Sequence, residues 1–63
     1  MSSPIIIVKR IRENPEAWRV WIYNPAYPQV RSAPFYCESE EIARAHADQL
    51  KEELHYTIEF QGA

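Results

Sequence analysis

The sequence predicts an α+β fold in the order ββ(β)αβ. It is a three- to four-stranded, mainly antiparallel sheet with one helix packed on one face. Three observations carry this prediction. Residues 17–23 read AWRVWIY, aromatic and β-branched, with prolines only outside at Pro15 and Pro25, which is strand composition. Beyond Ser39, apolar residues recur on one helical stripe as far as Leu54, as in an amphipathic helix. Residues 56–60, YTIEF, then alternate apolar and polar, the period of a half-buried strand.

The first strand runs from Ile5 to about Arg12, bounded by Pro4. Its front half is apolar on both faces, as expected of a central strand. The expected inward set is Ile5, Ile7 and Ile11. Glu13-Asn14-Pro15-Glu16 is a turn, with Asn favoured at the first position and Pro fixing φ at the second. It closes a hairpin onto residues 17–23. Strand alternation there puts Trp18, Val20 and Ile22 on one face and Arg19, Trp21 and Tyr23 on the other. The two tryptophans are three residues apart, so a regular strand must separate them.

Asn24-Pro25 repeats the turn device. Pro25, Pro28 and Pro34 stiffen residues 24–34 and exclude helix, and Tyr27 stands out there as an aromatic between Ala26 and Pro28. Gln29-Val30-Arg31-Ser32 is expected to begin a third strand that ends in Phe35-Tyr36-Cys37. Pro34 has no N–H for a ladder, so this is an edge strand. Ser39 is the helix N-cap, with Glu40 and Glu41 in the first turn where carboxylates favour the dipole. Ile42, Ala43, His46, Ala47, Leu50 and Leu54 form the inward stripe. In the last strand Tyr56, Ile58 and Phe60 face the helix, and Thr57 and Glu59 face away. Three antiparallel strands and a helix that returns the last strand parallel to the first give the expected strand order 3-2-1-4, and the right-handed crossover preference fixes which face the helix covers.

Sixty-three residues make one small domain, with residues 1–3 and 61–63 expected as frayed ends. A core of this size is marginal. A single cysteine excludes an internal disulfide, so the aromatics, or self-association as a homodimer, must make up the deficit. No secretory leader is expected from Met1-Ser2-Ser3-Pro4, and Ile5-Ile6-Ile7-Val8 is too short to cross a membrane. With one unpaired thiol, this reads as a cytoplasmic protein.

The net charge of −2 conceals an asymmetry. Residues 1–37 hold Lys9, Arg10, Arg12, Arg19 and Arg31 against Glu13 and Glu16, net +3. Residues 38–63 hold Arg44 and Lys51 against Glu38, Glu40, Glu41, Asp48, Glu52, Glu53 and Glu59, net −5. Charge therefore argues for nucleic acid only on one face, not for the whole protein.

Enzymatic chemistry is not expected. His46 and His55 are nine residues apart, on opposite sides of a continuing helix, so they cannot form a one-face metal pair. His46 reads as an ordinary residue at the edge of the apolar stripe. Cys37 precedes a helix N-terminus, where a thiol pKa can fall, but strand parity sends it inward beside Phe35 as an inert thiol. The only glycine is Gly62, so there is no glycine-rich phosphate loop. No catalytic, cofactor or metal residue is assigned, and no small-molecule substrate or membrane is implied.

One helix covers one face of a sheet. By parity the other face gathers Arg10, Arg12, Arg19, Trp21, Tyr23 and Tyr36, residue types enriched at protein-interface hot spots. The same set can stack bases and neutralise phosphates. Three antiparallel strands followed by a helix, over roughly residues 5–54, also resemble in architecture the arm-type DNA-binding domains of tyrosine recombinases, though without a shared motif. Those domains are generally basic, and this chain is not. The expected function is a small non-enzymatic protein-binding or regulatory module, with a protein partner or a second copy on this face. Nucleic acid is the alternative ligand.

Overall fold

The computed structural model describes residues 3–29 and 33–62. It contains β1 (Ile5–Glu13), β2 (Glu16–Tyr23), β3 (Phe35–Cys37), α1 (Glu40–Leu54) and β4 (Thr57–Gln61). The four strands form one sheet in the order β3-β2-β1-β4. β1 pairs antiparallel with β2, β2 antiparallel with β3, and β1 parallel with β4. The expected order is thus found, with one parallel pair produced by the α1 crossover.

The β1–β2 register pairs Ile6 with Ile22, Val8 with Val20 and Arg10 with Trp18. Residues paired across strands share a face. Trp18 and Val20 are buried beneath the helix, so Ile6 and Val8 are the inward residues of β1, at 0% and 1% exposure. The expected inward set of Ile5, Ile7 and Ile11 is therefore inverted. The cause is a β-bulge between Arg10 and Arg12. The extra residue, Ile11, is 44% exposed, and everything N-terminal to it changes face.

The Asn14–Pro15 peptide bond is cis. Glu13 pairs with Glu16, so Pro15 occupies the third turn position rather than the second. The Arg12 Nε donates to the Pro15 carbonyl at 3.0 Å. At the far end of β2, the Asn24 side chain accepts from Ala26 N at 3.0 Å, and Tyr27 N donates to the Asn24 carbonyl at 3.0 Å. This is the expected Asn-Pro turn, closed by an Asx contact. Gln29 lies in a turn and not in β3. The remainder of the expected start of the third strand, Val30 to Ser32, lies outside the described residues.

Ser39 caps α1, its hydroxyl accepting from Ile42 N at 3.2 Å. A second acceptor comes from the sheet. One oxygen of Glu16 receives the Glu40 amide at 2.8 Å and the indole N–H of Trp18. His55 ends the helix in the left-handed region, φ 59°, and its N–H donates to the Lys51 carbonyl at 2.8 Å, the αL form of C-cap.

The core unites Ile6, Val8, Trp18, Val20, Ala43 and Ala47, with Ile22, Cys37, Leu50, Tyr56 and Ile58 at its margin. The helix contacts the sheet through its two alanines, which allow close approach. Ile42 and Leu54, expected on the inward stripe, are exposed. The contact is narrower than the apolar stripe because the large groups come from the sheet. His46 stacks on Phe35 with ring centroids 4.1 Å apart. Phe60 lies between Trp18, at 5.5 Å, and the Arg44 guanidinium, at 4.0 Å. β4 extends to Gln61, and a Cβ at Gly62 would meet the Phe60 ring at 2.3 Å. No described helix is long and apolar enough to cross a membrane.

Candidate functional site: the uncovered face of the sheet

The site is built by strand alternation. Helix α1 occupies the face of Trp18 and Val20. The opposite face carries Ala17, Arg19, Trp21 and Tyr23 from β2. β1 adds Ile5, Ile7 and Lys9, and Arg12 beyond the bulge. Pairing then adds Tyr36 beside Arg19, and Thr57, Glu59 and Gln61 beside Ile5, Ile7 and Lys9. Among the described residues, no element packs on this face.

Of the expected site residues, Arg12, Arg19, Trp21, Tyr23 and Tyr36 come together here. Arg10 does not. It pairs with Trp18 on the helix side and lies 3.8 Å from Glu13. An unbulged hairpin would have set Arg10 opposite Arg19, and Ile11 moves it by one residue. Lys9 takes its place. Lys9, Ile5 and Ile7 escape the sequence reading for this same reason, whereas Glu59 faces away from the helix as expected.

The centre of the face is apolar. Ile7 is only 8% exposed although no helix covers it; Trp21 is its cross-strand partner. Tyr36, at the β3 edge, is 60% exposed. The Arg19 guanidinium lies 4.2 Å from the Trp21 ring centroid, a same-face contact between residues i and i+2. Its Nε is buried and has no hydrogen-bond partner. The terminal nitrogens of a guanidinium suit bidentate recognition of a carboxylate or phosphate.

Two recesses flank the Arg19 row. One, about 340 Å³, is lined by Ile5, Ile7, Arg19, Trp21, Ile22, Tyr23 and Glu59. None of the described residues of the 24–34 loop lines it. The other, about 440 Å³, is lined by Ile11, Arg12, Ala17 and Tyr36, with Cys37 and Glu38 at its rim. Lys9, Arg12 and Arg19 share this face with Glu59 and, at the second recess, Glu38, so the face is net positive.

Cys37 is half-buried. Desolvation raises its thiol pKa, and a backbone hydrogen bond from Ser39 opposes that in part. Its Sγ contacts the Trp18 carbonyl at 4.0 Å. The helix N-terminus therefore does not activate it. Among the described residues, no three His, Cys, Asp or Glu side chains gather to hold a metal. Comparison with protein-family models, curated proteins and solved structures gives no match.

Proposed function

We propose that the chain is a small non-enzymatic protein-binding module, regulatory in role, that acts through the uncovered face of its sheet. The observation that carries this reading is the combination on one face of an apolar centre with Trp21, Tyr23, Tyr36, Arg12 and Arg19 around it. Aromatic and Arg side chains ringing a dry centre are the composition of binding hot spots. Two such faces pressed together would set Lys9, Arg12 and Arg19 of one copy against the same residues of the other. A foreign protein therefore suits the face better than a second copy. A single free cysteine suits a reducing, cytoplasmic setting.

A second reading, nucleic-acid binding by the same face, is supported by Lys9, Arg12 and Arg19 lying on one face with Tyr36 and Trp21. The test is affinity capture from lysate of the source cells, with and without nuclease, on wild-type and Trp21→Ala baits. Partners held by wild type, kept after nuclease and lost on Trp21→Ala support the first reading. Loss on nuclease treatment selects the second. Capture indifferent to both Trp21→Ala and Tyr36→Ala removes this face from the function.

A further inference from the structure

We propose that the uncovered face takes an acidic polypeptide segment in extended conformation, with a carboxylate on Arg19 and an apolar residue in each of the two flanking recesses. The inference rests on the reading that this face is the binding surface, and it adds the chemistry and spacing of the partner.

The argument starts from charge. Three cations share the face with two carboxylates, Glu59 and the Glu38 that lines the second recess, and leave it net positive, so a complementary ligand is anionic. Arg19 is the central cation. It stands in the row Tyr36–Arg19–Lys9–Gln61 that crosses all four strands. Stacking on Trp21 holds the guanidinium in place, which reduces the entropy lost when a planar carboxylate docks on it.

Spacing comes next. Along β2 the row of Trp21 is two residues from Arg19, and Ala17 is two residues beyond in the other direction. Both steps equal about 6.6 Å at the strand repeat. An extended peptide presents every second side chain to one side with the same period. An acidic residue on Arg19 thus places the residues two before and two after it over the two recesses. The order apolar–x–acidic–x–apolar follows, where x faces solvent.

The same observations disfavour a polyanion. Beyond the Arg19–Lys9 row the floor is aliphatic, formed by Ile5 and Ile7, and offers phosphates no partner. The indole face nearest Arg19 is covered by the guanidinium and is closed to a stacking base. The chain as a whole is −2, so its long-range field does not draw in nucleic acid.

The experiment is selection of phage-displayed random linear peptides on the full chain, repeated on Arg19→Glu. Circular dichroism and a thermal melt verify that the variant folds, and Lys9→Glu replaces it if it does not. The expected result is enrichment of Asp or Glu with apolar residues two positions to either side. On the charge-reversed variant that preference should vanish or turn basic. A synthetic peptide from the first selection should lose roughly tenfold or more in affinity for the variant. Enriched peptides without acidic residues that still need Trp21 would overturn the acidic partner and leave the binding face standing. Peptides indifferent to Trp21→Ala and Tyr36→Ala, or no enrichment at all, would overturn both. A single-stranded or duplex oligonucleotide that binds more tightly than every selected peptide in the same salt would overturn it in favour of nucleic acid.

Discussion

The guanidinium of Arg19 lies over the Trp21 ring, 4.2 Å from its centroid, on the face of the sheet that carries no helix. The pair partly shields the indole and leaves the Arg19 Nε buried without a partner. Removing the cation should loosen the ring without opening the core. Arg19→Ala is expected to cost roughly 0.5–1 kcal/mol, the range for such contacts near the surface. In a Trp18→Phe background, where Trp21 is the sole indole, the same change should shift emission to the red. An unchanged spectrum would show that the stack does not persist in solution.

Helix packing makes a sharper demand. Ala43 is at 0% exposure against the sheet, so a larger side chain there must displace the residues it packs on. Ala43→Leu should destabilise by roughly 1–3 kcal/mol through overpacking. Ile42 is 50% exposed, and Ile42→Ala should stay within about 0.5 kcal/mol. Urea titrations of the two variants measure both. Comparable losses would mean that the helix seats on its outer stripe.

Glu16 joins the hairpin to the helix. One carboxylate oxygen accepts from the Trp18 indole and from the Glu40 amide. It thus orients the largest core side chain and satisfies a free donor at the helix start. Glu16→Ala should cost about 1–2 kcal/mol, as losing a cap does. Glu16→Gln keeps an acceptor and should recover part of that. A Gln variant no better than Ala in denaturant midpoint would make charge, rather than the acceptor, the cause.

Much of this arrangement is legible in the sequence because strand alternation is strict. Trp18 and Val20 against Arg19 and Trp21 settle the faces of β2, and Ile58 against Glu59 settles those of β4. Ser39 and the following carboxylates mark the helix start. The first strand resists such reading, since Ile5, Ile6, Ile7 and Val8 are apolar on both faces. Its parity then rests on counting back from the turn. The bulge at Ile11 adds one residue to that count and exchanges Arg10 for Lys9 at the site. Nothing local announces the bulge, because no glycine or proline marks it. The exposure of Ile42 and Leu54 is equally hidden, since helical spacing gives a stripe but not how much of it the sheet can reach.

The Cys37 thiol offers a pH-dependent readout. Burial raises its pKa above the ordinary thiol range, more than the Ser39 contact lowers it. The folded state therefore holds this proton more tightly than the unfolded chain. The associated stability is complete below the ordinary thiol pKa and is lost as pH rises through the folded value. Alkylation by iodoacetamide should be slow at neutral pH in the folded protein. Its rate should climb at a higher pH than in urea. Coincident pH profiles in the two states would contradict the burial of this thiol.

The two tryptophans separate stability from binding. Trp18 is 2% exposed, stacks on Phe60 and donates to Glu16. Truncating it leaves a large core cavity, so Trp18→Ala should cost roughly 3–5 kcal/mol. A small domain has only about 5–15 kcal/mol in total, and much of that variant should unfold. Trp21 is half-buried on the uncovered face, its outer contact being the Arg19 guanidinium. Trp21→Ala should cost clearly less stability, yet a hot-spot role would weaken partner binding by about 2 kcal/mol or more. Acrylamide quenching of Trp18→Phe and Trp21→Phe reads the difference directly, because each retains one indole. The protein that retains Trp21 should be quenched readily and the one that retains Trp18 should be protected. Equal protection of both in a monomer would mean that the face is covered, and the proposed binding function would fall with it.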